Sequence, residues 1–150
     1  MENKEIAGVL DDIANLLEID DESPFRIRAY RNASDTIRFF DPPLAEMVER
    51  GEDLTKLEGI GKAIAEKIVE IVQTGKLAFL QRLTEKSSPG LLDLLRIPGV
   101  GPKKVRLMRE HLSILSIDEL RAAIESGKIS EIPGFGAKSL ETLRRRLGEV

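Results

Sequence analysis

The sequence predicts an all-α protein, and three observations lead to that prediction. Apolar side chains recur at intervals of three and four residues in one segment after another, which places them on one face of a helix. No segment shows a convincing alternation of apolar and polar residues of the kind that a half-buried strand requires. A short pattern, apolar-x-Gly-apolar-Gly followed by a lysine-bearing helical run, occurs three times and joins helical segments each time.

The first half of the chain holds five predicted helices. Apolar spacing predicts the first over about 4–18, and residues 20–23 form a turn. Ser23 followed by Pro24 is a helix-start signal, and it favours a helix to about Phe39 over the strand that the alternation in residues 25–29 would allow. The remaining elements of this half are a helix from Leu44 that ends at Gly51, a single turn over 53–57, a helix from Lys62 that ends at Gly75, and a helix from Leu77 to about Lys86.

The second half begins in the short polar segment 86–90, which is the best candidate for a domain boundary. We therefore predict two domains, 1–86 and 87–150. The predicted elements of the second domain are a helix from Leu91, a helix from Pro102 to Leu112, a helix from Ser116 to Glu125 that starts with a Ser116–Glu119 capping box, a short turn, and a last helix with Leu140, Leu143 and Leu147 on one face.

Composition excludes several classes of protein. The 150 residues include no cysteine, so disulfides and thiolate metal sites are excluded, and a reducing cytoplasm is the predicted location. No apolar run approaches the roughly 20 residues that a membrane span requires, and the first residues lack the plan of a signal peptide. We therefore predict a cytoplasmic protein with no membrane partner.

The net charge of −3 is unevenly distributed along the chain. Residues 1–22 hold eight acidic side chains and one basic side chain, so residues 23–150 carry 22 basic against 18 acidic side chains. A polyanion responds to a local patch within a Debye length of about 8 Å rather than to the total charge. The basic excess therefore permits nucleic-acid binding, although a solvated surface explains it equally well.

Each copy of the repeated pattern provides the features of a phosphate-binding turn. Glycines allow positive φ and a close approach of another backbone, and the turn ends at a helix N-terminus, where free N–H groups and the helix dipole favour an anion. The predicted DNA-binding residues of the three copies are Gly59, Gly61 and Lys62; Gly99, Gly101, Lys103 and Lys104; and Gly134, Gly136 and Lys138. The alternative is that each copy is an ordinary tight turn between helices.

The spacing apolar-x-Gly-apolar-Gly is that of the helix-hairpin-helix motif, and a wider resemblance covers nearly the whole chain. Residues 24–33 (PFRIRAYRNA), 59–68 (GIGKAIAEKI) and 74–77 (TGKL) are similar to the N-terminal lyase-type domain of family X DNA polymerases, the DNA polymerase beta family. Residues 94–105 (LLRIPGVGPKKV) and the third hairpin look like their fingers domain. The resemblance implies tandem helix-hairpin-helix subdomains, the first lyase-type and the second fingers-like.

The resemblance also implies site residues. The family's lysine that forms a Schiff base with the sugar at an incised abasic site falls on Lys67, at the edge of an apolar stripe where partial burial would favour a neutral amine. Arg26 and Tyr30 fall where the family binds the 5′ phosphate. In the family, backbone carbonyls of each hairpin can bind a monovalent cation, K⁺ or Na⁺. These carbonyls belong to Thr55, Leu57 and Ile60 for the first hairpin and to Leu95, Ile97 and Val100 for the second. Lys67 can instead be a surface lysine paired with Glu66 or Glu70.

The chain departs from the family in two respects. Two lysines that the family uses around the phosphate fall on Ala63 and Phe79, and a lysine near the pocket becomes Arg26. Family X polymerisation needs a palm domain whose carboxylates hold two metal ions, and no Asp-x-Asp pair of that kind occurs in the sequence. We therefore expect no polymerase activity from this polypeptide by itself, whether it is a stand-alone relative or part of a longer protein.

The sequence leads to one main hypothesis and two alternatives. The main hypothesis is sequence-independent, salt-dependent DNA binding through the hairpin backbones and neighbouring basic residues, with gaps, nicks or ends in DNA repair as the target. The first alternative is abasic-site (5′-deoxyribose phosphate) lyase activity through Lys67, and the second is a protein–protein interaction module. We expect DNA binding to require no cofactor, and we expect other repair proteins to supply polymerase or nuclease activity.

Overall fold

The computed structural model describes residues 1–20 and 22–148, and every regular element within them is helical. The prediction of an all-α fold is therefore confirmed. Asp21, which the sequence places in a turn, and the terminal Glu149 and Val150 lie outside the described residues. The α-helices are α1 (Asn3–Ile19), α2 (Pro24–Arg38), α3 (Leu44–Glu49), α4 (Lys62–Thr74), α5 (Ala78–Ser87), α6 (Leu91–Leu95), α7 (Pro102–Leu112), α8 (Ile117–Glu125) and α9 (Ala137–Leu147), and two 3₁₀ turns span Leu54–Lys56 and Lys128–Glu131.

Helix start and stop signals act largely as the sequence predicts. Pro24 occupies the first turn of α2, and Gly75, with φ of +74°, ends α4. Ser23 is the N-cap of α2, but its side chain makes no capping hydrogen bond. Ser116 caps α8, because Glu119 N–H donates to Ser116 Oγ at 3.2 Å. The predicted capping box forms only in this half, since Glu119 Oε1 accepts from the Ser116 hydroxyl at 3.1 Å rather than from the Ser116 amide.

The chain divides into two compact units. The first unit comprises Met1–Leu17 and Asp21–Leu83, and the second comprises Glu18–Asp20 and Thr84–Val150. The predicted domain boundary after residue 86 stays a prediction. Among the described residues, no helix is both long and apolar enough to cross a bilayer, and the predicted cytoplasmic location likewise stays a prediction.

The first unit is built around the apolar face of α1. Helices α1 to α4 supply most of its core side chains, which include Ile6, Leu10, Ile13, Ala33, Ile37, Leu44, Ile64, Ile68 and Ile71, and Leu54, Ile60 and Leu77 complete the core. Asn3 fixes the turn between α2 and α3, since its Oδ1 accepts a hydrogen bond from Leu44 N–H at 2.8 Å and its Nδ2 donates to the carbonyls of Phe40 and Pro42 at 3.0 and 2.9 Å. The 3₁₀ turn Leu54–Lys56 and helix α3 both pack on α4, which begins immediately after the first hairpin.

The second unit has its own apolar core around the 3₁₀ turn Lys128–Glu131, which contacts α7, α8 and α9. Its buried side chains include Leu91, Leu94, Val105, Met108, Leu120, Ile124, Ile129, Leu143 and Leu147. Both remaining hairpins therefore lie in one unit, each followed by a helix that is anchored in this core.

A polar cluster around Asp20 adds to the second unit. Ser87 Oγ donates to Asp20 Oδ2 at 2.6 Å, and Arg109 donates to Asp20 Oδ1 at 2.8 Å and to the carbonyl of Ile19 at 2.9 Å. Burial by itself raises the pKa of Asp20, but the hydrogen bonds from Ser87 and Arg109 and the charge of Arg109 outweigh it, so the pKa lies below its ordinary value. The guanidinium of Arg109 also caps the C-terminal end of α1.

Candidate nucleic-acid interface

The three hairpins share one backbone geometry. In each, the carbonyl two residues before the first glycine accepts a hydrogen bond from the amide of the residue after that glycine. The three bonds join Leu57 to Ile60 at 3.2 Å, Ile97 to Val100 at 3.0 Å and Ile132 to Phe135 at 3.1 Å. The first glycine has a φ of +78° at Gly59, +83° at Gly99 and +89° at Gly134. A positive φ at the third position is that of a type II turn, where glycine avoids a steric cost.

The apolar residue between the two glycines anchors each hairpin. Ile60, Val100 and Phe135 are all buried. The second glycine then becomes the N-cap of the following helix, and its carbonyl accepts the first helical hydrogen bond. These bonds come from the amides of Ala65, Val105 and Leu140, at 2.9, 3.1 and 3.0 Å. Each hairpin therefore fixes the N-terminus of α4, α7 or α9.

Neither the backbone conformation nor the neighbouring protein atoms require a glycine at the second glycine position of each hairpin. Gly61, Gly101 and Gly136 have φ of −84°, −102° and −81°, which any residue adopts. Apart from the glycine and its two chain neighbours, no atom of the described residues lies within 4 Å of the point where a Cβ would stand at any of the three. Serine or aspartate would be a better N-cap, because the side chain would accept from the free amides of the first turn. Glycine leaves these amides bare and open to a ligand.

Each helix that follows a hairpin carries at least one lysine in its first turn. Lys62, Lys103, Lys104 and Lys138 are all exposed, and no ion pair of the described residues involves them. Lys104 Nζ donates to the carbonyl of Gly99 at 3.1 Å, so this ammonium lies on the second hairpin itself. Because α7 begins with Pro102, which has no N–H, the amides of Lys103 and Lys104 are the free donors of its first turn.

Lys67, Phe79 and Tyr30 form one cluster in the first unit. Lys67 Nζ lies 4.8 Å from the centroid of the Phe79 ring, a cation–π distance. The Tyr30 ring stacks on the same phenylalanine, with centroids 6.4 Å apart and planes at 13°. Lys67 is half-buried and Tyr30 is buried. The structure thus joins two predicted site residues through Phe79, which the resemblance marks only as a departure.

The proposed glutamate partners of Lys67 do not hold it. No ion pair of the described residues joins Lys67 to Glu66 or Glu70. Glu70 Oε2 instead accepts a hydrogen bond from Ala78 N–H at 2.8 Å, at the start of α5. The carboxylate of Glu70 therefore caps a helix, and the ion-paired alternative for Lys67 does not occur in this structure.

Arg26 lies one helical turn before Tyr30 on α2, and its side chain is 49% exposed. Its guanidinium is 3.9 Å from Glu22 Oε2, an i,i+4 pair on the surface. Exposed pairs of this kind contribute about 0–1 kcal/mol, so Arg26 can exchange Glu22 for a phosphate at little cost.

The predicted cation ligands are backbone oxygens of the first two hairpins. The carbonyls of Leu57 and Ile97 each accept one turn hydrogen bond, and a carbonyl has two lone pairs. Near the first hairpin, Asp53 Oδ1 accepts hydrogen bonds from the hydroxyl and the amide of Thr55, at 2.6 and 3.0 Å. The bond from the hydroxyl is the main reason why the pKa of Asp53 lies below its ordinary value. Neutral carbonyl oxygens are the ligand type that suits K⁺ or Na⁺, so the donor set fits the predicted ion.

Sequence reasoning assigns no role to Phe79 and does not distinguish Arg146 from the two arginines before it. Phe79 has no charge to draw attention, and only its position under Lys67 shows its place in the cluster. Arg146 Nη1 donates to the carbonyl of Pro98, 48 positions earlier, at 3.0 Å. The sequence signal for Arg146 is only a run of three arginines, which point in different directions around a helix. The third of them reaches the second hairpin.

Comparisons with known proteins agree with this geometry. The sequence model described as "Helix-hairpin-helix domain" matches residues 1–77, which is more than half of the chain. The chain belongs to the helix-hairpin-helix domain family. A second model, "SAM-like Helix-hairpin-helix tandem", matches residues 91–149 of this helix-hairpin-helix protein and contains both hairpins of the second unit. The predicted tandem helix-hairpin-helix architecture is confirmed.

The predicted resemblance to family X polymerases is also confirmed. The helix-hairpin-helix chain is 34% identical over all of its 150 residues to "DNA polymerase/3'-5' exonuclease PolX" of Bacillus subtilis (strain 168). It spans only 26% of the length of that relative.

Proposed function

We propose that the chain binds DNA through its three hairpins without base specificity, and that gaps, nicks or ends in DNA repair are its targets. The single observation that carries this proposal is the bare second glycine, at Gly61, Gly101 and Gly136. A side chain would fit the protein at all three positions, and serine would cap the helix better. A ligand that needs both the space and the free amides explains the glycines. The family match and the PolX relative support DNA binding in general.

Phosphate is the ligand that these features suit. Helix N-terminal amides and the dipole favour an anion, and the exposed lysines beside them add charge-assisted hydrogen bonds. Such contacts position the DNA backbone and read no bases, so affinity should depend little on sequence. Each phosphate that the protein neutralises should contribute about 0.9 to the slope of log affinity against log salt concentration.

A binding series tests the proposal. Fluorescence anisotropy would compare gapped, nicked, blunt-ended and closed circular duplexes of the same sequence, each at a low and a high KCl concentration. We expect tighter binding to the gapped, nicked or ended forms and a steep loss of affinity with salt. Absence of binding at low salt would reject DNA binding and favour the protein-interaction module. Equal affinity for every form would support DNA binding but reject gaps, nicks and ends as its targets. It would also remove the reason to expect repair proteins as partners.

A second candidate function, abasic-site lyase activity, is favoured by the position of Lys67. The half-buried Lys67 holds its amine over the ring of Phe79, on which Tyr30 stacks, and no ion pair among the described residues joins it to the neighbouring glutamates. In the proposed reaction, the amine adds to the sugar aldehyde and water leaves, giving an imine. The C2′ proton is then lost to water, its electron pair forms the C2′=C3′ double bond, and the C3′–O bond breaks with the downstream strand leaving as its 5′ phosphate. Hydrolysis of the imine by water releases the lysine. Arg26 and Tyr30 would hold the 5′ phosphate.

Borohydride trapping on a duplex with a 5′-incised abasic site tests the lyase proposal. We expect a covalent adduct with the wild type and none with Lys67→Ala, because borohydride reduces the imine to a stable amine. Lys76→Ala is the matched control, since Lys76 is an exposed lysine just beyond the end of α4. No adduct with the wild type, or an equal adduct with Lys67→Ala, would reject the lyase function.

We further propose that each of the first two hairpins binds its own monovalent cation through its carbonyls, and that this cation bridges the hairpin to a phosphate. Replacing KCl by the same concentration of tetramethylammonium chloride keeps the ionic strength but supplies a cation too bulky for a carbonyl site. DNA affinity should fall in the tetramethylammonium buffer. Unchanged affinity would reject a role for the cation and leave the amide and lysine contacts.

A further inference from the structure

A cleft lies between the second and third hairpins, within the second unit. Its volume is about 300 Å³, and the turn of the second hairpin forms one wall while α9 forms another. Three basic residues line it, namely Lys104, Lys138 and Arg146, together with the hydroxyl residues Ser139 and Thr142. Of the described residues that line the cleft, none is acidic.

Two of these basic groups are held on neighbouring carbonyls. Arg146 Nη1 donates to the carbonyl of Pro98 at 3.0 Å, and Lys104 Nζ donates to the carbonyl of Gly99 at 3.1 Å. Adjacent peptide carbonyls lie only a few ångströms apart, so a guanidinium and an ammonium share one small region of the turn. Both groups line the same cleft, where their like charges repel each other and a bound anion would offset the repulsion.

The absence of a side chain at Gly99 makes this arrangement possible. A Cβ at this position would stand 1.8 Å from Arg146 Nη1, so the guanidinium occupies the space that a side chain would fill. Guanidinium and ammonium groups carry five and three N–H donors, and each group uses one in the bond to its carbonyl. The remaining donors are available to a ligand in the cleft.

We propose that this cleft is a phosphate-binding subsite, in which Arg146 and Lys104 on the second hairpin and Lys138 after the third bind one phosphate group together. The proposal rests on the proposed DNA-binding function and adds a contact that neither hairpin makes alone. Arg146 extends from the helix after the third hairpin to the turn of the second, so the two hairpins act as one site. The phosphate is either an internal diester of a strand or a terminal phosphate, and both offer the same oxygen acceptors.

Charge-removing variants of the full chain test the subsite. Anisotropy titrations over a range of KCl concentrations would compare Arg146→Gln and Lys138→Gln with Arg145→Gln. Arg145 is the matched control because it is the exposed neighbour on α9 and does not line the cleft. Loss of one phosphate contact should weaken binding about tenfold at low salt and reduce the salt slope by about 1 for Arg146→Gln and Lys138→Gln. Arg145→Gln should keep the wild-type slope.

Two DNA arms distinguish the sources of the phosphate. A loss with Arg146→Gln that appears only on 5′- or 3′-phosphorylated ends assigns the subsite to a terminal phosphate, and an equal loss on hydroxyl ends assigns it to an internal diester. Circular dichroism would check that each variant folds. The subsite is refuted if Arg146→Gln folds and matches Arg145→Gln while the wild type binds DNA, because Lys138 already belongs to the proposed contact of the third hairpin. If Arg146→Gln does not fold, the titration of the wild type with inorganic phosphate decides. If the wild type does not bind DNA, the proposed function itself fails. A titration with inorganic phosphate, followed by amide shifts at Gly99 and Gly134, then tests the cleft alone, and unshifted amides would overturn it.

Discussion

Replacing Gly101 by serine should stabilise the second unit and weaken DNA binding at the same time. The backbone at Gly101 is extended, with φ of −102° and ψ of −179°, which also suits a residue that precedes proline. Beyond the glycine and its two chain neighbours, no atom in the described part of the chain lies within 4 Å of the point where a Cβ would stand. The new hydroxyl would therefore take an empty space and accept a hydrogen bond from the free amide of Lys103 or Lys104.

The expected gain in stability follows from two effects. A side chain in place of a compatible glycine restricts the unfolded chain, which stabilises by about 0.4–1 kcal/mol. Serine caps a helix better than glycine by a few tenths of a kcal/mol. The sum, about 1 kcal/mol, should raise the melting temperature by about 2–4 °C for a chain of this size. Thermal denaturation followed by circular dichroism measures this shift.

The same hydroxyl should reduce affinity for DNA. It would occupy the amide that we assign to a phosphate, and a hydrogen bond to a charged group contributes about 1.5–3 kcal/mol, so affinity should fall about 10- to 100-fold. Gly8→Ala is the control, since Gly8 lies inside α1 with open space at its Cβ position. It should stabilise by about 0.5–1 kcal/mol and leave DNA binding unchanged. Gly101→Ser with wild-type affinity would remove the main support for the DNA-binding proposal, and a destabilised variant would contradict the open space at this glycine.

Two further predictions concern stability. Asp20→Asn should destabilise at neutral pH by about 1–2 kcal/mol, because the bonds from Ser87 and Arg109 lose a charged acceptor. The pKa of Asp20 is lower in the folded protein, so its carboxylate contributes fully to the free energy of unfolding above the ordinary carboxyl pKa of about 3.9. This contribution disappears as pH falls through the lower folded pKa. The unfolding free energies of variant and wild type, measured by urea titration, should therefore converge in acid. Gly90→Ala should destabilise by about 1–3 kcal/mol, because its Cβ would stand 2.1 Å from the carbonyl oxygen of Leu115; a urea midpoint equal to that of the wild type would contradict this.

The sequence predicts the helices well because their signals are local. The apolar stripe of α4 and the glycine after it lie within one segment, so periodicity and a C-cap residue are enough to give its bounds. The start of α2 shows the limit of such signals. Ser23 and Pro24 predict the position of the start, but the serine side chain makes no capping bond, and sequence alone does not determine that side-chain geometry.

The sites depend on contacts between distant residues, and there the sequence is less informative. Lys67 and Phe79 lie on different helices, and α5 must fold back before the ring lies under the ammonium. Arg146 meets Pro98 only after α7, α8 and α9 have packed on one 3₁₀ turn. No local pattern marks either contact, because each results from the tertiary arrangement of its unit.

Glycines illustrate most directly what the structure adds to the function. The sequence shows Gly99 and Gly101 as equal members of one motif, but they are required for different reasons. Gly99 is needed by the protein because its φ is positive, and a side chain there would also displace the guanidinium of Arg146. At Gly101, φ is negative and a side chain would meet open space, and the same holds at Gly61 and Gly136. A residue that folding does not require, in the same place in three hairpins and always beside bare amides, indicates a ligand that approaches the backbone at that point.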